Sequence, residues 1–262
     1  MKSLKKLLST VRYDLRKIWN PPMFQGNHKS RNYFEGWYFK LVSQDGTKKA
    51  AFIPGIAKSA DGAEQHAFVQ FIDGESGNTE YFRFPIDAFT FDTNSFAVSV
   101  GKNRFSQSHM VLDIKKDGRT ISGEITFTDS VSLPVSPFRP GIMGWYRFMP
   151  FMECYHGLVS LDHRLHGSLH IDGERWEFEG GSGYIEKDWG RSFPSSWIWM
   201  QSNHFKEPGS CFFFSLAKIP WLGTSFPGFL SVLLEKGNIH LFATYTGAKI
   251  RNCQLTDDHV DI

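Results

Sequence analysis

Cysteine is scarce in this chain: Cys154, Cys211 and Cys253 are the only three in 262 residues, and they follow no paired spacing. That excludes a disulfide-stapled scaffold. Because the opening residues do not read as a secretory signal, a reducing cytoplasmic compartment fits. Nucleotide-gripping motifs are missing too. There is no Walker loop, no G-x-G-x-x-G fingerprint and no G-x-S-x-G elbow, so no cofactor is expected. Positive charge is confined to one end. The formal net charge is +2, yet residues 1–19 hold six basic side chains against Asp14, which leaves the remainder at about −3. A nucleic-acid partner needs a basic face across a domain, so none is expected. Helical periodicity is absent after residue 20.

Aromatic side chains, by contrast, are abundant: 16% of the residues, including 25 phenylalanines, within a 41% hydrophobic composition. Such a chain buries a sizeable core, and rings on that scale suit pleated strands around an apolar interior. The opening segment is the exception. Leu4, Leu7, Leu8, Val11, Leu15 and Ile18 recur at helical spacing, with Lys5, Lys6, Arg12, Arg16 and Lys17 mostly on the other face. This predicts a basic amphipathic helix, too polar to span a bilayer, ended by Asn20-Pro21-Pro22. It either docks on the protein body or lies on the inner face of a membrane as a peripheral anchor.

From residue 33 onward, short strands are punctuated by Asp-Gly pairs at 45–46, 61–62, 73–74, 117–118 and 172–173, each read as a type I′ hairpin turn. Met110, Leu112 and Ile114 alternate with polar residues, as do Ile121, Gly123, Ile125 and Phe127, so one face is wet and one buried. An antiparallel barrel or sandwich is the natural architecture. Residues 133–150 carry four prolines and read as a long aromatic loop over a cavity mouth. A shift that sets Trp37 on Trp197 also sets Phe52 on Phe212 and Gly77-Asn78 on Gly237-Asn238, which suggests two copies of one β-unit. The second copy would then be incomplete.

The candidate chemistry lies in "GYIEKDWGRSFPSSWIWMQSNHF", residues 183–205. Glu186 and Asp188 are two apart, which on a strand points both to one face. Two carboxylates in an apolar site cannot both ionise easily, so one keeps its proton near neutrality and serves as a general acid. The plainer reading pairs them with Lys187 and Arg191 at a strand end. Trp197 and Trp199 share a strand face, with Trp189 in the turn before them, while the matching first-copy strand offers Trp37 and Tyr38. These rings are either a core or the walls of a site that stabilises a cation. Cys154, His156, His163, His166 and His170 cluster in sequence, but their spacing fits neither a zinc finger nor a metalloprotease helix, and no metal is expected.

The segments "YFEGWYFK" (33–40), "PFMECYHGLVS" (150–160) and the 183–205 block resemble the signature blocks of the tocopherol cyclase family in its bacterial branch. The resemblance covers most of the chain from about Asn20. It implies an all-β fold of two tandem lipocalin-like antiparallel β-barrels, distantly related to carotenoid hydratases of the hydroxyneurosporene synthase type. The expected division is helix and linker at 1–25, a first barrel at 26–180 and an incomplete second barrel at 181–262. It also implies a cofactor-independent, acid-catalysed cyclisation or hydration of a prenylated hydroquinone or other isoprenoid. The alternative is a carrier of a hydrophobic quinone or lipid using the same cavity. For the enzyme, the residues rank Glu186 first as acid, then Glu35 in the first-copy strand. Where the plant block reads K-N-W-G this chain has Lys187-Asp188-Trp189-Gly190, which places Asp188 lower. His204 or Tyr184 would handle the phenolic proton, and Trp37, Tyr38, Trp189, Trp197 and Trp199 would line the substrate.

Overall fold

The computed structural model describes residues 2–150, 152–221 and 223–262 and, in its first helix, side chains from Leu8 onward. One helix, α1 (Lys2–Ile18), precedes an antiparallel β-structure. Its strands are β1 (Tyr33–Val42), β2 (Lys49–Lys58), β3 (Gln65–Asp73), β4 (Thr79–Pro85), β5 (Phe89–Phe91), β6 (Ala97–Val100), β7 (Asn103–Ser106), β8 (His109–Lys116), β9 (Arg119–Val131), β10 (Cys154–Ile171), β11 (Glu174–Glu177) and β12 (Ser182–Gly190). These form a large sheet in the order 4-3-2-1-12-10-9-8-7-6-5, with β11 paired to β10. A second sheet holds β13 (Trp197–Ser202), β14 (Cys211–Trp221), β15 (Thr224–Glu235) and β16 (Asn238–Ala243) in sequential order. The fold is the all-β, antiparallel one expected, with its leading helix. No hydrogen-bonded ladder between β4 and β5 closes the large sheet among the described residues, although a single 3-10 turn at Ile86–Ala88 connects them.

Alternation decides what each strand buries. In β8, Met110, Leu112 and Ile114 face inward, and in β9 Ile121, Ile125 and Phe127 do the same. The large sheet curls round a core that joins Trp37, Phe39, Phe52 and Phe71 to Val98, Phe105 and Leu169. A second core, containing Leu158, Tyr184, Phe213 and Val232, lies between the two sheets. β1 to β4 and β13 to β16 are both meanders, and the shift that sets Trp37 on Trp197 also overlays β2 on β14 and β3 on β15. β12, placed with the second unit by the sequence division, is inserted between β1 and β10 of the large sheet.

The turns correct the sequence reading. Of the five Asp-Gly pairs, only Asp117-Gly118 and Asp172-Gly173 have both residues at positive φ in a two-residue connection, as type I′ requires. At 45–46, 61–62 and 73–74 the aspartate instead accepts from the backbone N–H two residues on, at Thr47, Ala63 and Glu75, and sets a longer loop.

α1 docks by the side that carries Tyr13 and Lys17. Tyr13 is buried and its hydroxyl donates to the Phe24 carbonyl, while Lys17 reaches the Gln25 carbonyl. The opposite side of the helix faces outward, leaving Leu8, Val11 and Leu15 60%, 49% and 56% exposed. Leu4 and Leu7 lie outside the described side chains. No described helix is long and apolar enough to cross a membrane.

The segment after the helix is strapped to the large sheet by a buried ion pair. Lys187 and Glu35 are both fully buried, Nζ to Oε1 2.5 Å. Lys187 also donates to the carbonyls of Pro21 (2.8 Å) and Met23 (2.6 Å), and Glu35 accepts from the Gln25 N–H and the Tyr33 hydroxyl. Lys187→Met should cost about 3–5 kcal/mol in urea unfolding because Glu35 is left buried and unpaired, and the double variant Lys187→Met/Glu35→Leu should recover most of it.

Candidate active site

β12 carries opposite chemistry on its two faces. Lys187 and Trp189 point to the large-sheet side, and Trp189 is therefore strand, not turn. Tyr184, Glu186 and Asp188 point to the space between the sheets, as a period of two demands. Register then supplies their neighbours: Tyr38 of β1 and Leu158 of β10 flank Glu186, and Gly36 and His156 flank Asp188. β13, β14 and β15 cover this face and leave a cavity of about 270 Å³. Its walls are Trp197 and Trp199 from β13, Ala217 and Ile219 from β14, Leu230 from β15, and Met143 and Tyr146 from the proline-rich loop. That loop was expected at the cavity mouth, and it contributes to the lining.

The polar contacts converge on one carboxylate oxygen. Glu186 Oε2 accepts from the Tyr184 hydroxyl at 2.6 Å and from Trp199 Nε1 at 3.2 Å, and lies 3.6 Å from His156 Nε2. Glu186 Oε1 has no hydrogen bond among the described residues. His156 Nδ1 is 2.7 Å from Asp188 Oδ1, and the Phe213 ring stacks on the imidazole at 5.0 Å. Asp188 and His156 are thus hydrogen-bonded, and Glu186 lies just beyond hydrogen-bond reach of His156 Nε2, which has no hydrogen-bond partner among the described residues, in a largely apolar pocket.

Burial governs their protonation. Desolvation raises Glu186 from 4.5 to about 7; the nearby Asp188 charge adds to this, while His156 and the Tyr184 and Trp199 donors oppose it. Burial would lower His156, but the Asp188 charge and hydrogen bond outweigh it and the imidazole is raised. Tyr184 is held well above its ordinary value by burial and then by Glu186. Near neutrality the group therefore retains a proton that can be given up beside apolar walls. Asp188 is the most open of the trio, at 27% exposure.

The sequence-predicted residues divide cleanly. Glu186, Asp188, Tyr184, Tyr38, Trp197 and Trp199 are brought together. Four are not. Glu35 belongs to the buried ion pair with Lys187, and Trp37 is fully buried core whose Nε1 donates to the Pro22 carbonyl. Trp189 stacks on Tyr155 on the far side of β12, and His204 is exposed beyond the end of β13. In each case strand alternation or strand ending puts the side chain elsewhere. Nor do Lys187 and Arg191 neutralise the pair, since their partners are Glu35 and Glu153. His156 and Phe213 were missed as site residues. Both are visible only once β10 pairs with β12 and β14 crosses above.

The segment bearing most of this geometry also carries the likeness to known proteins. Residues 116–213 match the tocopherol cyclase-like family. This stretch includes His156, Tyr184, Glu186, Asp188, Trp199 and Phe213, and the resemblance expected from the sequence blocks holds there. A chloroplastic tocopherol cyclase of Zea mays is 40% identical over 67 residues, 26% of this chain and 14% of the maize protein. The matched stretch thus spans about a seventh of that relative. Among solved structures, CghA superimposes with a TM-score of 0.51 at 14% identity, covering 83% of this chain and 59% of that one. CghA with Sch210972 gives 0.50 at 15% identity, covering 79% and 59%. At such identities the likeness concerns the fold alone.

Linkage gives the site a pH signature. Below about 4.5 the proton on Glu186 is present in folded and unfolded chains alike, and the stability tied to its raised value is complete. That stability is lost as pH rises through about 7, and the raised His156 acts in the same direction. Buried His163, pushed down to about 3, works the other way up to about pH 6.5, so the test is a difference: between about pH 5 and about pH 8, Glu186→Gln should gain stability relative to the parent chain in urea unfolding.

Proposed function

We propose that the chain is a tocopherol cyclase-like enzyme that protonates an isoprenoid alkene and lets an internal phenol oxygen, or water, capture the cation. The observation that carries this reading is buried Glu186, which accepts twice at Oε2 and has no hydrogen bond at Oε1 among the described residues, at the wall of an aromatic cavity. A prenylated hydroquinone suits both halves of the pocket. Its chain matches the apolar walls, and its phenol would meet Asp188.

The step balances without an external reagent. Glu186 Oε1 gives its proton to the less substituted alkene carbon, and the electron pair of the double bond forms the new C–H bond. The resulting tertiary cation faces Tyr38, Trp197 and Trp199, each ring contributing about 0.5–2 kcal/mol of attraction. The phenol oxygen closes the ring and its proton passes to Asp188. From there His156, hydrogen-bonded to Asp188, would return a proton to Glu186 once its Nε2, now 3.6 Å away, closes to hydrogen-bond distance. Water in place of the phenol gives the hydrated product. Roles for Glu35 and His204 are not carried into this reading.

The same reading places the chain at a membrane surface, where such substrates dissolve. The outward stripe of Leu8, Val11 and Leu15, flanked by exposed Arg12, supports this. The division into a helix at 1–25 and two β-units is proposed with it, on the recurring four-strand meander, with β12 moved from the second unit to the first.

Incubation with an ortho-prenylated hydroquinone, read by chromatography coupled to mass spectrometry, should yield a chromanol of unchanged mass and new retention time, or a hydrated counterpart heavier by one water. Glu186→Gln should lower turnover by ~10²–10⁴ without loss of stability. Ligand held unchanged, with equal affinity in Glu186→Gln, would make the chain a carrier. Leu8→Glu/Leu15→Glu should weaken co-sedimentation with lipid vesicles by at least roughly tenfold while leaving turnover of detergent-dispersed substrate intact.

A further inference from the structure

On the other side of β12 from the acid lies a second recess, of about 490 Å³, with a very different lining. Five cations border it: Lys17 from α1, Lys29 and Arg31 from the segment before β1, Arg147 from the proline-rich loop and Arg191 after β12. Lys187 is close behind, bonded to Glu35. The carboxylates nearby are fewer. Asp14 pairs with Lys17, Glu35 with Lys187, and Glu153 reaches Arg191 only at 3.6 Å. Among the described residues no carboxylate bonds the Lys29, Arg31 or Arg147 side chains.

Arg147 is the most informative. Its Nη2 donates to the Gln25 side chain at 2.5 Å, and its guanidinium lies over the Tyr155 and Trp189 rings at 5.4 and 5.3 Å. Its buried Nε has no acceptor among the described residues. A guanidinium fixed in orientation, partly desolvated and short of an acceptor is a preformed half of an oxyanion contact. Exposed Lys29, Arg31 and Arg191 supply further charge at the rim.

We propose that this recess binds a phosphate-class oxyanion, carried either by a small molecule or by a lipid headgroup. The shape of the site distinguishes it from general surface charge: cations from four separate chain segments meet at one concavity. The inference is independent of the reaction assigned to the cavity between the sheets, since none of these cations lines that cavity. Met152 is the residue common to both walls, so an occupied recess would lie next to the reaction chamber.

Titration calorimetry with inorganic pyrophosphate, and flotation with vesicles of phosphatidylcholine with or without phosphatidic acid, test the proposal on the full chain. The variant Lys29→Gln/Arg31→Gln changes only exposed side chains. It should weaken binding about tenfold for each cation removed, the equivalent of one charge-assisted hydrogen bond. The charge-matched control Lys206→Gln/Arg251→Gln should change little. Saturable pyrophosphate binding that falls in the first variant alone identifies a free phosphate-bearing ligand. A preference for phosphatidic acid lost in that variant alone, without pyrophosphate binding, identifies a headgroup. Absence of both, or equal losses in the two variants, would overturn the proposal.

Discussion

A buried ammonium must be neutralised and surrounded by acceptors, and the way Lys187 meets that requirement organises the molecule. Its partners are Glu35 on the neighbouring strand and two carbonyls of the segment that follows the helix, with the Trp37 and Trp189 rings beside it. This fixes the β1–β12 register and ties residues 21–25 to the sheet. Because side chains alternate, securing Lys187 on one face aims Glu186 and Asp188 at the other. The ion pair and the acid are therefore consequences of the same strand geometry.

The two faces use electrostatics in opposite ways. On the core side a positive and a negative group cancel, with hydrogen bonds for the atoms left over. On the cavity side two acids and one imidazole share too little solvent to be charged independently, which keeps a proton in place near neutrality. Aromatic rings surround both arrangements, but with different duties. Trp37 completes a core, whereas Trp199 uses its N–H to hold one oxygen of Glu186.

Period two made much of this legible in the sequence. The common face of Glu186 and Asp188, the inward residues of β8 and β9, and the meander shared by β1–β4 and β13–β16 all follow from spacing along one strand or from a constant shift. What escaped was set by pairing between distant segments. His156 becomes a site residue because β10 lies against β12, with register shifts at Leu158/Ser160 and Ser160/His163 that no local pattern announces. The repeat also misled by analogy: Trp37 and Trp197 correspond in sequence, yet one is sealed in the core and the other stands at a cavity rim. Asp-Gly pairs were over-read for a related reason, since an aspartate that accepts from its own loop favours a wider turn than the dipeptide alone suggests. The helix was readable as amphipathic, but not which face would meet the body.

The acid and the cavity roof belong to different sheets. Glu186 and its supporting residues sit chiefly on β10 and β12, while Ser215, Ala217 and Gly228, all small, line the opposite wall on β14 and β15. The carboxylates and the roof contour are thus encoded by largely separate parts of the chain, joined where Trp199 and Phe213 reach from the second sheet to Glu186 and His156. A lineage, or an engineer, is free to recontour the roof at Ser215, Ala217 or Gly228 for a bulkier or shorter ligand while the Tyr184–Glu186 and His156–Asp188 contacts stay in place.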